Sequence, residues 1–159
     1  YHVQGGELKL GFGPRIARIE RILGQTRRAG GYMGLLHEDI TREVLGAAFE
    51  VHAMLGPGFL ETAYETALAH ELTLRGIPFE RQVRVPVRYK RILVVEHILD
   101  LIVRGMVVVE LKAIADIADV HKAITLSYLT ATSLNIGLIL NFGQPSLQYK
   151  RIIRNQGRP

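Results

Sequence analysis

The chain has 159 residues, 48% of them hydrophobic and 22% charged, with no cysteine and a formal charge of +5. That length suits one domain with a sizeable core plus a tail, and the missing cysteine excludes disulfides, thiolate metal sites and a cysteine nucleophile. No apolar run approaches the ~20 residues of a membrane span, and the start lacks the charged-then-apolar order of a signal peptide. The expectation is a cytoplasmic protein with no membrane partner.

Residues 1–32 carry six Lys or Arg against two Glu, a balance of +4 that leaves +1 for the remainder. The basic character therefore belongs mostly to this leading segment, and it cannot by itself support a phosphate-binding face on the domain behind it. Within the segment, "PRIARIERILGQ" sets Ile16, Ile19, Ile22 and Leu23 on one stripe after Pro14, a plausible helix start. Three readings stand: a poorly ordered basic extension, a docking arm that builds a homo-oligomer, or a strap along nucleic acid. Gly30 and Gly31 read as the linker into a single domain over 33–159.

From Glu38, "EDITREVLGAAFEVHAMLG" predicts a helix with acidic first-turn residues, core positions Ile40, Val44, Leu45, Ala48 and Leu55, and Gly56 as its stop. "GPG" breaks the chain, and "GFLETAYETALAHELTLRG" predicts a second helix running to Gly76. Glu61 falls in its first turn, three residues before Tyr64. It is either a partner for the helix dipole or a carboxylate aimed at a metal. Three strands follow in "FERQVRVPVRY", "ILVVEHILDLIV" and "MVVVELKAI", all rich in β-branched residues, with a turn at Arg104-Gly105. "VHKAITLSYLTATSL" predicts a helix capped by Asp116 or Asp119. "NIGLILNFG" and "LQYKRIIRN" close the chain as strands. This order predicts an α/β fold, bordering on α+β, in which helices cover a central mixed sheet.

The chemistry concentrates in "MVVVELK". Glu110 and Lys112, two apart in a strand, share a face, and a charged pair at the end of an apolar strand is costly unless each partner is satisfied. Asp100 lies ten residues earlier, in the preceding strand. A two-residue loop at Arg104-Gly105 would pair Leu99 with Glu110 and turn Asp100 to the wrong face. A three-residue loop, Arg104 to Met106, pairs Val103 with Val107 and sets Asp100 opposite Glu110; a bulge would act likewise. Two such carboxylates resist ionising side by side, and a divalent cation with a preference for oxygen ligands, Mg²⁺ or Mn²⁺, relieves the repulsion.

Asp100 followed by Glu110-Leu111-Lys112 resembles the D…(D/E)xK signature of the PD-(D/E)xK nuclease superfamily. Gly58, Glu61 and Tyr64 add the spacing for which the GxxExxY proteins, placed in that superfamily, are named. The similarity extends from about Leu36 to Asn155. It implies a PD-(D/E)xK-like core and a Mg²⁺- or Mn²⁺-dependent nuclease acting on phosphodiester bonds in DNA or RNA. Asp100, Glu110 and Glu61 would hold the metal, and Lys112 would serve as a base partner or charge stabiliser. Tyr64 would be packed or hydrogen-bonded. The chain departs from its relatives after the ExK strand, where Lys122 and Ile124 stand in place of their Glu and Gln. Isoleucine cannot hydrogen-bond, although His121, Thr125 and Tyr128 share one helical face. The alternative is a catalytically inactive nuclease-fold module that binds nucleic acid or protein, or self-assembles. His52 and His121 read as a satisfied and a helix-surface histidine respectively.

Overall fold

The computed structural model describes residues 36–155. The expected helix near residues 14–23 and the basic extension around it lie outside the described residues.

Helix α1 (Glu38–Leu55) begins with Glu38 and Asp39 and ends at Gly56, whose φ of 66° stops the helix. Ile40, Val44, Ala47, Ala48 and Val51 are buried at helical spacing. Leu55, expected in the core, is instead exposed in the final turn beside the Gly56 break. Helix α2 (Glu61–Leu74) buries Tyr64, Leu68 and Leu72 completely.

Strands β1 (Phe79–Tyr89), β2 (Ile92–Val103), β3 (Val107–Lys112), β4 (Ile136–Asn141) and β5 (Gln148–Ile153) form one sheet in sequence order. All neighbours are antiparallel except β3 and β4, whose parallel pairing requires the crossover through helix α3 (Asp119–Thr132). Both central strands are buried on both faces, which explains the unbroken apolar runs of "VVV" and "IGLIL". Leu101, Val103, Val107, Val109 and Leu111 join α1 and α2 in one apolar cluster. On the opposite face α3 approaches β4 so closely that a Cβ at Gly137 would stand 2.6 Å from Thr125 Cγ2. Neither Asp116 nor Asp119 caps α3. The N-cap is Ala118, whose N–H donates to His121 Nδ1 at 2.9 Å, while Asp116 accepts from the Ile117 N–H one residue on.

One irregularity matters for the site. Leu101 packs with α1 and α2, yet His97, four residues earlier on β2, meets Tyr128 of α3 with ring centroids 4.8 Å apart. A regular strand would keep both on one face. The alternation reverses at Asp100, between the paired Arg81↔Leu101 and Val83↔Leu99, where Gln82 takes a positive φ of 50°. Asp100 therefore sits at a kink shared by β1 and β2.

Candidate active site

The hairpin joining β2 to β3 has a three-residue loop: Val103 pairs with Val107, Ile102 with Val108 and Leu101 with Val109. Arg104 and Gly105 turn it with φ of 52° and 68°. Continued by one residue, that register brings Asp100 level with Glu110. Backbone pairing stops there, and the Asp100 carboxylate takes over: its Oδ2 accepts the Leu111 N–H at 2.8 Å. On the same strand Lys112 Nζ donates to Glu110 Oε1 at 2.7 Å. Glu110 Oε2 is buried and has no hydrogen-bond partner, an exception to the rule that buried polar atoms are paired.

Glu61 reaches this end of β3 from α2. Its Oε1 accepts the Ala113 N–H at 3.3 Å. The loop before it is fixed by Tyr64, whose hydroxyl donates to the Gly56 carbonyl at 2.8 Å and accepts the Phe59 N–H at 3.1 Å. The Tyr64 ring is fully buried and stacks on Phe142 at 4.6 Å. Gly58 runs through this loop at a φ of 112°, a conformation that side chains rarely tolerate. The spacing of Gly58, Glu61 and Tyr64 thus has a structural cause: a sharp turn, a carboxylate at the helix start, and a phenol one turn later that locks the turn in place.

The electrostatics are unusual for a sheet end. Burial raises the Glu110 pKa from 4.5 to about 7, with help from the nearby Asp100 charge and against the pull of Lys112. Burial also raises Asp100, opposed by its bond to the Leu111 N–H and by Lys112. For Lys112 burial acts downward, but the hydrogen bond to Glu110 and the charges of Glu110, Glu61 and Asp100 outweigh it, so its pKa is raised. Lys112 is therefore a cation at neutral pH. Three carboxylates against one ammonium would repel a phosphate unless a further cation joined them.

A family model described as the PD-(D/E)XK nuclease superfamily matches residues 38–152. The chain belongs to the PD-(D/E)XK nuclease superfamily. No curated protein matches it. One crystal structure, that of SSO0001, is similar over 88% of this chain and 77% of its own, at 14% identity and a TM-score of 0.49.

Nucleases of this superfamily generally use divalent metals. Among the described residues no three His, Cys, Asp or Glu side chains are gathered closely enough to hold an ion, so Glu61, Asp100 and Glu110 do not form a ready three-carboxylate cage. The donor set nevertheless fits a hard cation. Asp100 and Glu110 offer carboxylate oxygens, the Glu110 Oε2 lacks a partner, and Glu110 resists ionising without added positive charge.

Three residues near this candidate site carry no signal in the sequence pattern. Glu65, one residue after Tyr64, is buried and accepts from Arg81 Nε at 2.9 Å and Gln82 Nε2 at 2.9 Å, holding β1 at the kink; its charge also acts on Asp100. Its polar role was hidden because both partners lie on another element. Asn141, fully buried at the end of β4, accepts from the Ile114 and Gly143 N–H groups and donates to the Ile114 carbonyl and Gln148. It fixes the segment that follows Lys112. Arg81 anchors Glu65 in turn.

Of the polar face expected on α3, Thr125 is fully buried and donates to the His121 carbonyl, and His121 serves the helix start. Tyr128 packs on His97 and senses the site's charges: burial and the Glu110 charge raise its pKa. Ile124 is exposed and brings no polar atom. His52 is buried, with Nε2 2.9 Å from the Gln144 carbonyl, a satisfied core histidine as expected.

Proposed function

We propose that this protein is a divalent-metal-dependent nuclease of the GxxExxY type that hydrolyses phosphodiester bonds in DNA or RNA. The observation that carries the reading is the unpartnered, buried Oε2 of Glu110, beside Lys112 and across from Asp100. Asp100 and Glu110 would hold Mg²⁺ or Mn²⁺, with Glu61 adding negative potential from the start of α2. Such an ion, when bound, polarises a phosphodiester and lowers the pKa of water.

The chain's own residues have distinct tasks. The Leu111 N–H orients Asp100, whose carboxylate is thereby fixed at the kink. Lys112, charged at neutral pH, suits stabilisation of charge developing on phosphate rather than removal of a proton. The Tyr128 hydroxyl, held near these charges and against His97, stays protonated and can donate a hydrogen bond where the missing glutamine would act.

The reading is tested by incubating labelled DNA and RNA, duplex and single-stranded, with Mg²⁺ or Mn²⁺ beside Glu110→Ala and Lys112→Ala. Metal-dependent cleavage that both substitutions abolish supports it. Absence of cleavage by folded wild-type protein favours the binding or assembly module instead, a reading to which Ile124 lends weight.

A further inference from the structure

Beyond the kink, residues 83–98 of β1 and β2 continue as a two-stranded arm whose tip is exposed on all sides. Over residues 79–98 the sequence holds five Lys or Arg against two Glu, so the domain's near-neutral balance conceals a basic arm. Two of the cations are already paired with carboxylates. Arg81 is bound to Glu65, and Arg84 to Glu96 at 2.7 Å. Arg88, Lys90 and Arg91, at the tip, have no carboxylate partner among the described residues, and all three are exposed.

The turn itself is chosen against local preference. Tyr89 pairs with Ile92, leaving Lys90 and Arg91 as a two-residue connection with φ of 45° and 73°. Both central positions of such a turn favour Asn and Gly, because side chains are strained at positive φ. Two long cations are held there in spite of that strain, a pattern associated with function.

The arm is also continuous with the candidate site. Its root carries His97, which packs on Tyr128 beside Glu110 and Lys112. A cleft of about 460 Å³ then opens between Pro86, Arg88 and His97 on the arm and Ser127 and Thr130 on α3. Arg91 lies nine residues from Asp100 along β2, at most roughly 30 Å at the rise of an extended strand, close to the ~34 Å of one duplex turn.

We propose that the β1–β2 arm clamps the backbone of a nucleic-acid duplex, with Arg88, Lys90 and Arg91 pairing to phosphates about one helical turn from the site. This deepens the nuclease reading by naming how substrate is gripped, and it rests on that reading only for where the duplex runs.

The test compares the full chain with Lys90→Asn/Arg91→Gly, using labelled 30-base-pair DNA and RNA duplexes at several salt concentrations. Each lost phosphate contact removes about 0.9 from the slope of log affinity against log salt. The double variant should therefore lose about 1.8 in slope and bind up to roughly 60-fold more weakly near 0.1 M salt, while its unfolding midpoint rises as the turn relaxes. A weaker binder with a more stable fold cannot be explained by misfolding. Equal affinity and slope in both proteins would overturn the clamp, as would a wild type that binds neither duplex. Loss of binding to poly-glutamate with duplex affinity unchanged would overturn it in favour of an acidic protein partner. A wild type that grips duplex through the tip but never cleaves would refute the hydrolytic reading and leave the clamp standing.

Discussion

Replacing Glu110 with glutamine should flatten the pH dependence of stability. The group titrates at 4.5 in the unfolded chain and at about 7 in the folded one. Between those values the folded protein keeps a proton that the unfolded chain has released, so stability falls as pH rises. The contribution is fully present below pH 4.5 and is lost by the time pH passes about 7. The gap corresponds to about 3 kcal/mol at 1.36 kcal/mol per pH unit, a large fraction of the 5–15 kcal/mol typical of a domain. The side chain is only 8% exposed, so solvent screening removes little of it. Lys112 titrates in a higher window and does not imitate the effect; Asp100, whose charge acts on Glu110, titrates together with it, so the difference between the two proteins belongs to the carboxylate pair. Urea unfolding at about pH 4.5 and pH 8, without divalent ions, measures it. Wild type should lose about 3 kcal/mol more than Glu110→Gln between those conditions. Identical pH dependence in the two proteins would refute the claim that burial and Asp100 strain this carboxylate.

Other expectations follow from single contacts. Tyr64→Phe removes the bonds to the Gly56 carbonyl and the Phe59 N–H; it should cost about 1–3 kcal/mol in chemical unfolding and lower cleavage by releasing the loop that sets Glu61. Asn141→Ala leaves the Ile114 backbone groups and the Gly143 N–H without their side-chain partner, and should cost about 2–4 kcal/mol. An unfolding midpoint unchanged in either variant would contradict the roles given to these side chains. In the cleavage assay, Glu110→Ala and Lys112→Ala should each abolish metal-dependent turnover while retaining far-UV circular dichroism.

The elements were largely legible because their periodicities are clean. The β-branched runs fell within a residue or two of β1 to β5, and the apolar stripe Ile40, Val44 and Ala48 found the buried face of α1. The parity of Asp100 and Glu110 required an odd loop, and Arg104 to Met106 supplies it. What periodicity could not show was the kink at Gln82 and Asp100, since a positive φ at glutamine has no compositional signature. Glu65 is illegible in the sequence for a related reason: it falls on a buried helix stripe, and its polar partners come from 16 and 17 residues away on β1. Aspartates near α3 suggested a cap by residue type, but the backbone starts the helix at Asp119 and recruits His121 instead. The net charge was equally opaque. A balance of +1 gives no hint that the cations gather at the tip of one hairpin.

The most direct test of the central claim is calorimetric titration of Mn²⁺ into the wild type and into Asp100→Asn and Glu110→Gln. Near pH 7 one ion should bind per wild-type chain, with release of about half a proton as Glu110 ionises on binding, and no such binding should occur in either variant. Binding that persists undiminished in both variants, or a folded wild type that takes up no ion, would contradict it.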